Sequence, residues 1–282
     1  MGKIRTAVII EEKIARGLLW TSVIVTIGAL MAVIFHILQH GLMHVNWTFL
    51  TEEPLFMGKE GGIFPTIVST IYLILISLAI AVPIGIMASI QLTEYTQRGP
   101  LVKVIRFATE TLAGIPSIIF GLFGFAFLVI FMGFSWSLLS GGLTLAFMVL
   151  PTIIRTSEEA IKSVPLSFRE GSMALGATKW QTVWKIVLPS ALPGIVTGII
   201  LSIGRVVGET AAVILTAGSS LNIPSSVMDP ARSMSVHLYI LAMEGISMEK
   251  AYATATVLII LIFLINSVAN WIMRRMSSNL LT

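Results

Sequence analysis

Six long runs of apolar residues, separated by short polar segments, dominate the sequence. Each run contains about 20 residues or more, and a helix of that length rises about 30 Å, the thickness of the hydrocarbon core of a bilayer. The pattern therefore predicts an all-α, polytopic membrane helix bundle. We expect residues 1–17 to form a cytoplasmic N-terminal segment and residues 18–282 to form one membrane domain. The predicted spans are Leu18–Leu38, Ile63–Gln91, Ala113–Met132, Trp136–Ile154, Pro193–Ala217 and Ala253–Met273.

Prolines and glycines are expected to shape these helices. Pro83 should kink the second span, whereas Pro116 and Pro151 lie where the third span begins and the fourth ends. The fifth span carries two pairs of small residues at four-residue spacing, which predict close packing of this helix. These pairs are Gly194/Gly198 and Gly204/Gly208.

The basic residues between the spans predict the orientation of the chain. Lysines and arginines are concentrated in residues 1–17, 98–106, 155–185 and 274–275, and the alternate segments hold only three. Because basic segments stay in the cytoplasm, both termini and the two longer basic loops should be cytoplasmic. With 56% hydrophobic and 11% charged residues, the chain is typical of a multi-pass protein of the cell membrane. The pI near 9.5 reflects these short segments, so no nucleic-acid partner is expected.

An arginine and a carboxylate interrupt the fifth span. Arg205 and Glu209 are four residues apart, a spacing that places both side chains on one face of a continuous helix. Arg205 would lie about 18 Å from Pro193, close to the bilayer midplane. Ionisable residues at that depth pair with each other or line a path for a charged solute, and these two residues fit both alternatives. The planar guanidinium suits a tetrahedral oxyanion better than a lysine does.

A polar segment, residues 155–189, separates the fourth and fifth spans, and its composition predicts two short helices at the cytoplasmic surface. The spacing within it closely resembles the EAA motif of the ABC importer permeases, which reads Glu-Ala-Ala, three residues, Gly, nine residues, Ile, one residue, Leu-Pro. Two small residues replace the alanines. The resemblance implies a coupling loop that docks on an ATPase subunit. The matching positions are Glu170, Gly171, Ser172, Gly176, Ile186, Leu188 and Pro189.

Further segments resemble the phosphate-importer permeases of this MetI-like family. These are residues 204–211, which contain Arg205 and Glu209, and residues 61–63, 114–117 and 228–232. The resemblance implies a PstA-type subunit that forms half of the membrane path for inorganic phosphate, with Arg205 and Glu209 in that path. The implied partners are a second permease of the PstC type, two PstB-type ATPase subunits that use ATP and Mg, a PstS-type extracytoplasmic phosphate-binding protein, and membrane lipid.

Three alternatives compete with this hypothesis. His36, His40 and His44 share a helix face, as in an intramembrane metalloenzyme, but no His-Glu-x-x-His accompanies them, so interfacial histidines are favoured and no metal is expected. A channel or ion-driven carrier would not need the docking loop. An importer for phosphonate, molybdate or sulfate stays open, because an arginine does not distinguish tetrahedral anions. The sequence has no Walker motif, so we expect no ATPase site and no cofactor bound by this chain, and it has no cysteine.

The outer loop between the last two predicted spans, residues 219–249, is longer than most connections and mixes apolar with charged residues. Its apolar part, Val236–Met243, is expected to lie as a short helix on the membrane surface. We expect the loop, with Arg232 and Glu244, to help receive the binding protein.

Overall fold

The computed structural model describes residues 2–96 and 99–279, and these residues form an almost entirely helical bundle with one small hairpin. The helices are α1 (Gly2–Gly41), α2 (Trp47–Thr51), α3 (Phe64–Ile90), α4 (Pro100–Ala113), α5 (Ser117–Gly124), α6 (Leu138–Ser163), α7 (Leu166–Ala174), α8 (Lys179–Thr182), α9 (Leu188–Val207), α10 (Ala211–Thr216), α11 (Met234–Met243) and α12 (Met248–Asn279). The hairpin pairs strands β1 (Pro54–Leu55) and β2 (Glu60–Gly61) antiparallel. Three π-helical segments extend neighbouring α-helices: Gln91–Tyr95, Phe125–Phe131 and Val183–Val187.

Five helices in the described part of the chain are long and apolar enough to cross a membrane, and a sixth span is counted if a bent pair is taken as one. The bent pair consists of Val102–Ala113 and Ser117–Phe131, which meet at 102°. The third predicted span, Ala113–Met132, therefore corresponds to the second limb alone. Pro116 at the bend lacks an N–H and disfavours helical backbone before it, so the chain turns there. We call the ends of the bundle near the basic loops the inner ends and the opposite ends the outer ends. Arg98, one of the basic residues that predicted the orientation, lies outside the described residues.

The first helix starts earlier than predicted. α1 runs without a break from Gly2 to Gly41, so the backbone is helical on both sides of residue 17. Its side chains are exposed along most of the span, and it meets the rest of the chain at its outer end. There His36 lies 3.3 Å from the hydroxyl of Tyr252 on α12.

The central helix of the bundle is α6, which packs between α3 and α9. Small residues allow the close approach: a Cβ at Gly85 of α3 would lie 2.6 Å from Ile153 Cγ2, and one at Gly194 of α9 would lie 2.6 Å from Ala160 Cβ. Buried side chains such as Leu145, Met148 and Val149, none of them measurably exposed, fill the space around α6. The α6 interfaces thus fix the relative height of three spans.

The fourth predicted span ends too early. Pro151 was expected to end that helix, but it lies inside α6, which continues to Ser163. Pro151 has no N–H to donate to the preceding turn, and packing against α3 and α9 holds α6 helical despite this loss. Prolines are tolerated in this way in membrane helices. Pro83 likewise lies inside α3.

The outer loop is also packed differently from the prediction. The expected surface helix Val236–Met243 corresponds to α11, but its side chains Val236, His237 and Leu241 are fully buried. The backbone N–H of Met234 donates to Thr70 Oγ1 of α3 at 2.9 Å. α11 therefore packs into the bundle instead of lying on the membrane surface.

Gly198 provides a test of the α6–α9 packing. A Cβ at this position would lie 2.7 Å from Thr156 Cβ, so we expect Gly198→Val to force the helices apart and to lower the stability of the permease by about 1–3 kcal/mol. The measurement is thermal unfolding of the purified protein in detergent, compared with Gly28→Val on α1, where no atom lies within 4 Å of the added Cβ. Equal unfolding temperatures for the two variants would contradict this packing.

Candidate translocation path and coupling surface

The helix that carries Arg205 ends inside the bundle. α9 stops at Val207, and Gly208–Thr210 form a break before α10. The expectation that Arg205 and Glu209 share one face of a continuous helix is therefore wrong. The break also ends the predicted fifth span Pro193–Ala217 early. Glycine at 208 disfavours helical backbone, and Glu209, one residue before the N-cap Thr210, turns its carboxylate to the first turn of the next helix.

Glu209 is buried, and both its carboxylate and its main-chain carbonyl accept hydrogen bonds from other residues of the chain. Its Oε1 accepts from the N–H of Ala212 at 3.2 Å, at the first turn of α10, where a carboxylate is favoured by the helix dipole. Its main-chain carbonyl accepts from the hydroxyl of Ser235 at 2.7 Å. Glu209 thus ties the helix break to the start of α11.

Arg205 lies at mid-depth in the bundle. Gly194 faces Ala160 and Gly198 faces Thr156, so α9 runs antiparallel to α6 and the same register places Arg205 level with Val149. That position is about 16 Å from the outer end of α6, half the thickness of the hydrocarbon core. The predicted depth of Arg205 near the midplane is consistent with this register.

Arg205 is half-buried and turned away from the core of the chain. It follows Thr197 and Leu201 at four-residue intervals on the exposed face of α9, and Gly204 beside it has no atom within 4 Å of an added Cβ. No residue in the described part of the chain forms an ion pair or hydrogen bond with its guanidinium. Of the two glycine pairs predicted to pack closely, only Gly194/Gly198 does so within this chain.

The polar segment 155–189 contains the two predicted short helices, α7 and α8. α7 ends in a left-handed turn at Gly176, whose φ is +88°. The turn is closed by hydrogen bonds from Gly176 N to Met173 O at 3.0 Å and from Ala177 N to Ser172 O at 3.2 Å. Thr178 then caps α8 with a reciprocal capping box.

A groove of about 570 Å³ lies between α7 and the start of α9. It is lined by four of the seven EAA-like positions, Gly171, Ser172, Ile186 and Pro189, together with Leu175. Of the remaining three, Glu170 is exposed on α7, Gly176 makes the turn, and Leu188 packs against the buried cluster below the loop. The structure therefore brings most of the motif to one surface.

Sequence reasoning missed two residue sets at this surface. Leu175 is 91% exposed and lines the groove beside the apolar residues Ile186 and Pro189. Beneath it, Arg169 of α7 binds Glu94, which follows α3, with Nη2 2.8 Å from Oε1. An apolar residue in a polar loop was a usable signal, whereas the contact across 75 residues could not be read from one sequence.

The histidines of α1 contact α12 instead of converging on one point. His36 and His40 lie beside the ring of Tyr252, and His44 Nε2 lies 3.5 Å from Glu249 Oε2. No group of three potential metal-ligating side chains occurs among residues 2–96 and 99–279.

Arg232 of the outer loop is buried, which differs from the exposed role expected for it. Its Nε donates to Ser219 O at 2.8 Å, and Nη1 lies 3.4 Å from His237 Nδ1. Burial, and then the charge of Arg232, lower the pKa of His237 to about 4, so this imidazole is neutral at physiological pH. Arg232 thus joins the loop to α11.

Comparison with known proteins places these features in one family. Residues 81–280 match the model of the "Binding-protein-dependent transport system inner membrane component" family. The chain belongs to this family. It is a membrane transport subunit of an ABC importer, in which separate subunits hydrolyse ATP and a binding protein delivers the solute.

Several relatives are similar to this permease over most of its length. A probable ABC transporter permease protein, YqgI, of Bacillus subtilis is 30% identical over 93% of this chain and 95% of its own. The phosphate transport system permease protein PstA of Pasteurella multocida is 30% identical over 83% and 84%. PstA 1 of Mycobacterium tuberculosis (strain CDC 1551 / Oshkosh) is 33% identical over 76% and 71%.

Solved structures support the MetI-like fold. The inward-facing MetNI methionine ABC transporter aligns with a TM-score of 0.60 at 24% identity, covering 76% of this permease and 94% of that chain. A bacterial alginate ABC transporter in complex with an alginate pentasaccharide-bound periplasmic protein aligns with a TM-score of 0.66 at 16% identity, covering 95% and 94%. At these identities the likeness shows the fold alone.

Gly176 gives a test of the coupling surface. No atom of the described residues lies within 4 Å of an added Cβ, so the structural constraint on Gly176 is its positive φ. We expect Gly176→Val to distort the turn at a cost of about 1–2 kcal/mol and to reduce both ATPase co-purification and solute uptake.

Gly176→Asn separates backbone strain from docking, because asparagine tolerates left-handed backbone. If only the turn matters, the asparagine variant should keep both properties. If an ATPase subunit approaches the glycine closely, it should lose them. Gly133→Val, at a left-handed glycine (φ +72°) on the outer side with no described atom within 4 Å of the added Cβ, is the matched control expected to keep both properties. Normal co-purification and uptake in Gly176→Val would overturn the docking assignment.

Proposed function

We propose that this permease forms half of the membrane path for inorganic phosphate, with a second, different permease of the PstC type forming the other half. The observation that carries the proposal is Arg205, a half-buried guanidinium at mid-depth without a partner among the described residues. An unpaired charge at that depth is costly, and the cost is offset when an anion occupies the site. The similarity to proteins named PstA supports phosphate as that anion.

We propose different roles for Arg205 and Glu209, the two residues of the predicted path. Arg205 lies on the exposed face of α9, where a bidentate contact to phosphate oxygens is possible. Glu209 holds the helix break by capping α10 and so sets the direction of the segment behind Arg205. We therefore propose Arg205 as the substrate contact and Glu209 as a positioning residue.

The coupling role belongs to the groove between α7 and α9. We propose that one of two PstB-type ATPase subunits, which bind ATP and Mg, inserts an apolar side chain into this groove beside Leu175. A carboxylate at Glu170 on the exposed face of α7 is free to pair with a basic residue of that subunit. On the outer side, the proposed partner is a PstS-type phosphate-binding protein.

Substitution of Arg205 distinguishes a substrate contact from a structural residue. Because Arg205 has no described partner to stabilise, Arg205→Gln should assemble normally with its permease and ATPase partners and lose most phosphate uptake. Arg205→Lys keeps the charge but not the bidentate fork, and uptake should fall by about tenfold or more. Radiolabelled phosphate uptake and co-purification are the measurements.

The matched control is Glu209→Gln, in which the amide oxygen can still accept from Ala212 N. We expect this variant to retain more uptake than Arg205→Gln. The double variant Arg205→Gln/Glu209→Gln should behave as the arginine variant alone. Uptake near wild type in an assembled double variant would remove Arg205 from the path. Competition by sulfate, molybdate or phosphonate as strong as that by unlabelled phosphate would identify another oxyanion as the substrate.

The outer loop is proposed to receive the binding protein through its exposed residues. Since Arg232 is buried, crosslinkers are better placed at Met228, which is 45% exposed, and at Glu244 at the end of α11. We expect both positions to capture the loaded binding protein during turnover, and a crosslinker at Trp20 on α1 to capture none. If neither loop position ever captures it, this role of the loop is wrong.

A further inference from the structure

The inner ends of three helices meet at one guanidinium. Arg169 lies near the middle of α7, and its side chain is 14% exposed. Its Nε and Nη2 donate to Glu94 Oε1 at 3.0 and 2.8 Å. Nη1 donates to Val164 O at 2.7 Å, and Nη2 also donates to Ile161 O at 2.8 Å. Four hydrogen bonds thus connect α7 to the segment after α3 and to the end of α6.

The acceptors around Arg169 are two main-chain carbonyls and one carboxylate, and together they explain why an arginine is needed at this position. Ile161 and Val164 supply carbonyls at the C-terminus of α6, where the helix dipole favours a positive charge and Ile161 O otherwise accepts, among the described residues, only from the Val164 N–H at 3.3 Å. Glu94 lies in the π-helical extension of α3, and its side chain is 6% exposed. A buried carboxylate at the end of a helix needs a cation, and the same guanidinium provides it.

The remaining contacts of the loop are weaker or apolar. Ser172 Oγ lies 3.0 Å from Thr182 Oγ1 within the loop, and Val183 and Val187 pack against Ile90 and Ile161. Among the described residues, the Glu94–Arg169 pair is the ion pair that connects α7 to a membrane span. It lies directly behind the surface that bears the groove.

We propose that Glu94 and Arg169 form a rigid clamp that makes the coupling helix α7 move as one body with the inner ends of α3 and α6. This inference rests on the proposed docking of an ATPase on α7. Displacement of α7 during ATP hydrolysis is then transmitted to the spans, and through α6 to α9 and Arg205. Both clamp residues are positioning residues, since neither is placed in contact with the solute.

Arg169→Lys is the informative change, because lysine retains the positive charge but cannot donate in three directions from one plane. We expect the complex of both permeases, the ATPases and the binding protein to assemble. In proteoliposomes, the solute imported per ATP hydrolysed should fall by about tenfold, the loss expected from one or two charge-assisted hydrogen bonds. Glu94→Gln keeps an acceptor oxygen but loses the charge, so the solute imported per ATP hydrolysed should fall by less than in the lysine variant. If the lysine variant does not assemble, this variant tests the clamp.

A second readout tests rigidity without any solute. The sequence has no cysteine, so spin labels at Met173→Cys on α7 and Met87→Cys on α3 report one distance in this chain. Met173 and Met87 are 48% and 62% exposed, and neither lines the groove. We expect one narrow distance distribution in the intact complex, unchanged by nucleotide, and a broadened distribution once Arg169→Lys is added. Arg16→Lys, in an ion pair with Glu12 whose side chains are 70% and 63% exposed, is the matched control and should change neither readout.

Failure of the clamp and failure of the proposed substrate give different results. A distance distribution and a coupling ratio that both stay at the wild-type values in assembled Arg169→Lys and Glu94→Gln would overturn the clamp. A broadened distribution with an unchanged ratio would also overturn it, because α7 would then be loose without consequence for transport. Failure of the wild-type complex to import phosphate would instead count against the proposed substrate, and the distance measurement together with the stimulation of ATP hydrolysis by the loaded binding protein would still decide the clamp.

Discussion

The packing of α6 between α3 and α9 determines where every candidate functional residue lies. Glycines of α3 and α9 let their backbones approach the side chains of Ile153, Thr156 and Ala160 on α6, and in a membrane such van der Waals packing replaces the hydrophobic effect as the force between helices. The α9 register on α6 fixes the depth of Arg205. The inner end of the same α6 provides the carbonyls that Arg169 binds. One helix therefore connects the proposed path with the proposed coupling surface.

Arg169 and Arg205 differ in whether the chain itself offsets the cost of removing a guanidinium from water. Each of the three guanidinium nitrogens of Arg169 donates to a carboxylate or to a carbonyl at the end of α6, so its burial is compensated within the chain. Arg205 has no such partner among the described residues and lies on an exposed face. A saturated guanidinium stabilises a structure, whereas an unsaturated one at membrane depth is available to a solute or to a second subunit. This contrast supports different roles for residues of the same type.

The sequence was informative about spans and motif, and it failed where tertiary packing overrides local preference. Length and hydropathy identified the apolar spans, and spacing located the loop whose four motif positions line the groove. Pro151 gave a false helix end, because neighbouring helices support the backbone that a proline would disrupt in water. The break after Val207 was missed, since a hydropathy run does not distinguish one continuous helix from two helices separated by three residues. The Glu94–Arg169 pair depends on how α3, α6 and α7 meet, which local patterns do not contain.

The break between α9 and α10 follows from the same physical rule that makes membrane spans helical. Non-helical backbone at membrane depth is tolerated only where protein buries it or where it lines a water-filled cavity. Here Glu209 satisfies the N–H of Ala212 and is itself buried, which meets the first condition on one side of the break. On the other side, Gly208 is exposed and Arg205 is half-exposed among the described residues, so a second subunit or a water-filled cavity must cover the backbone there. An exposed face that carries a guanidinium without a described partner at mid-depth supports the anion path proposed for this permease, and the proposed second permease would supply the opposite wall.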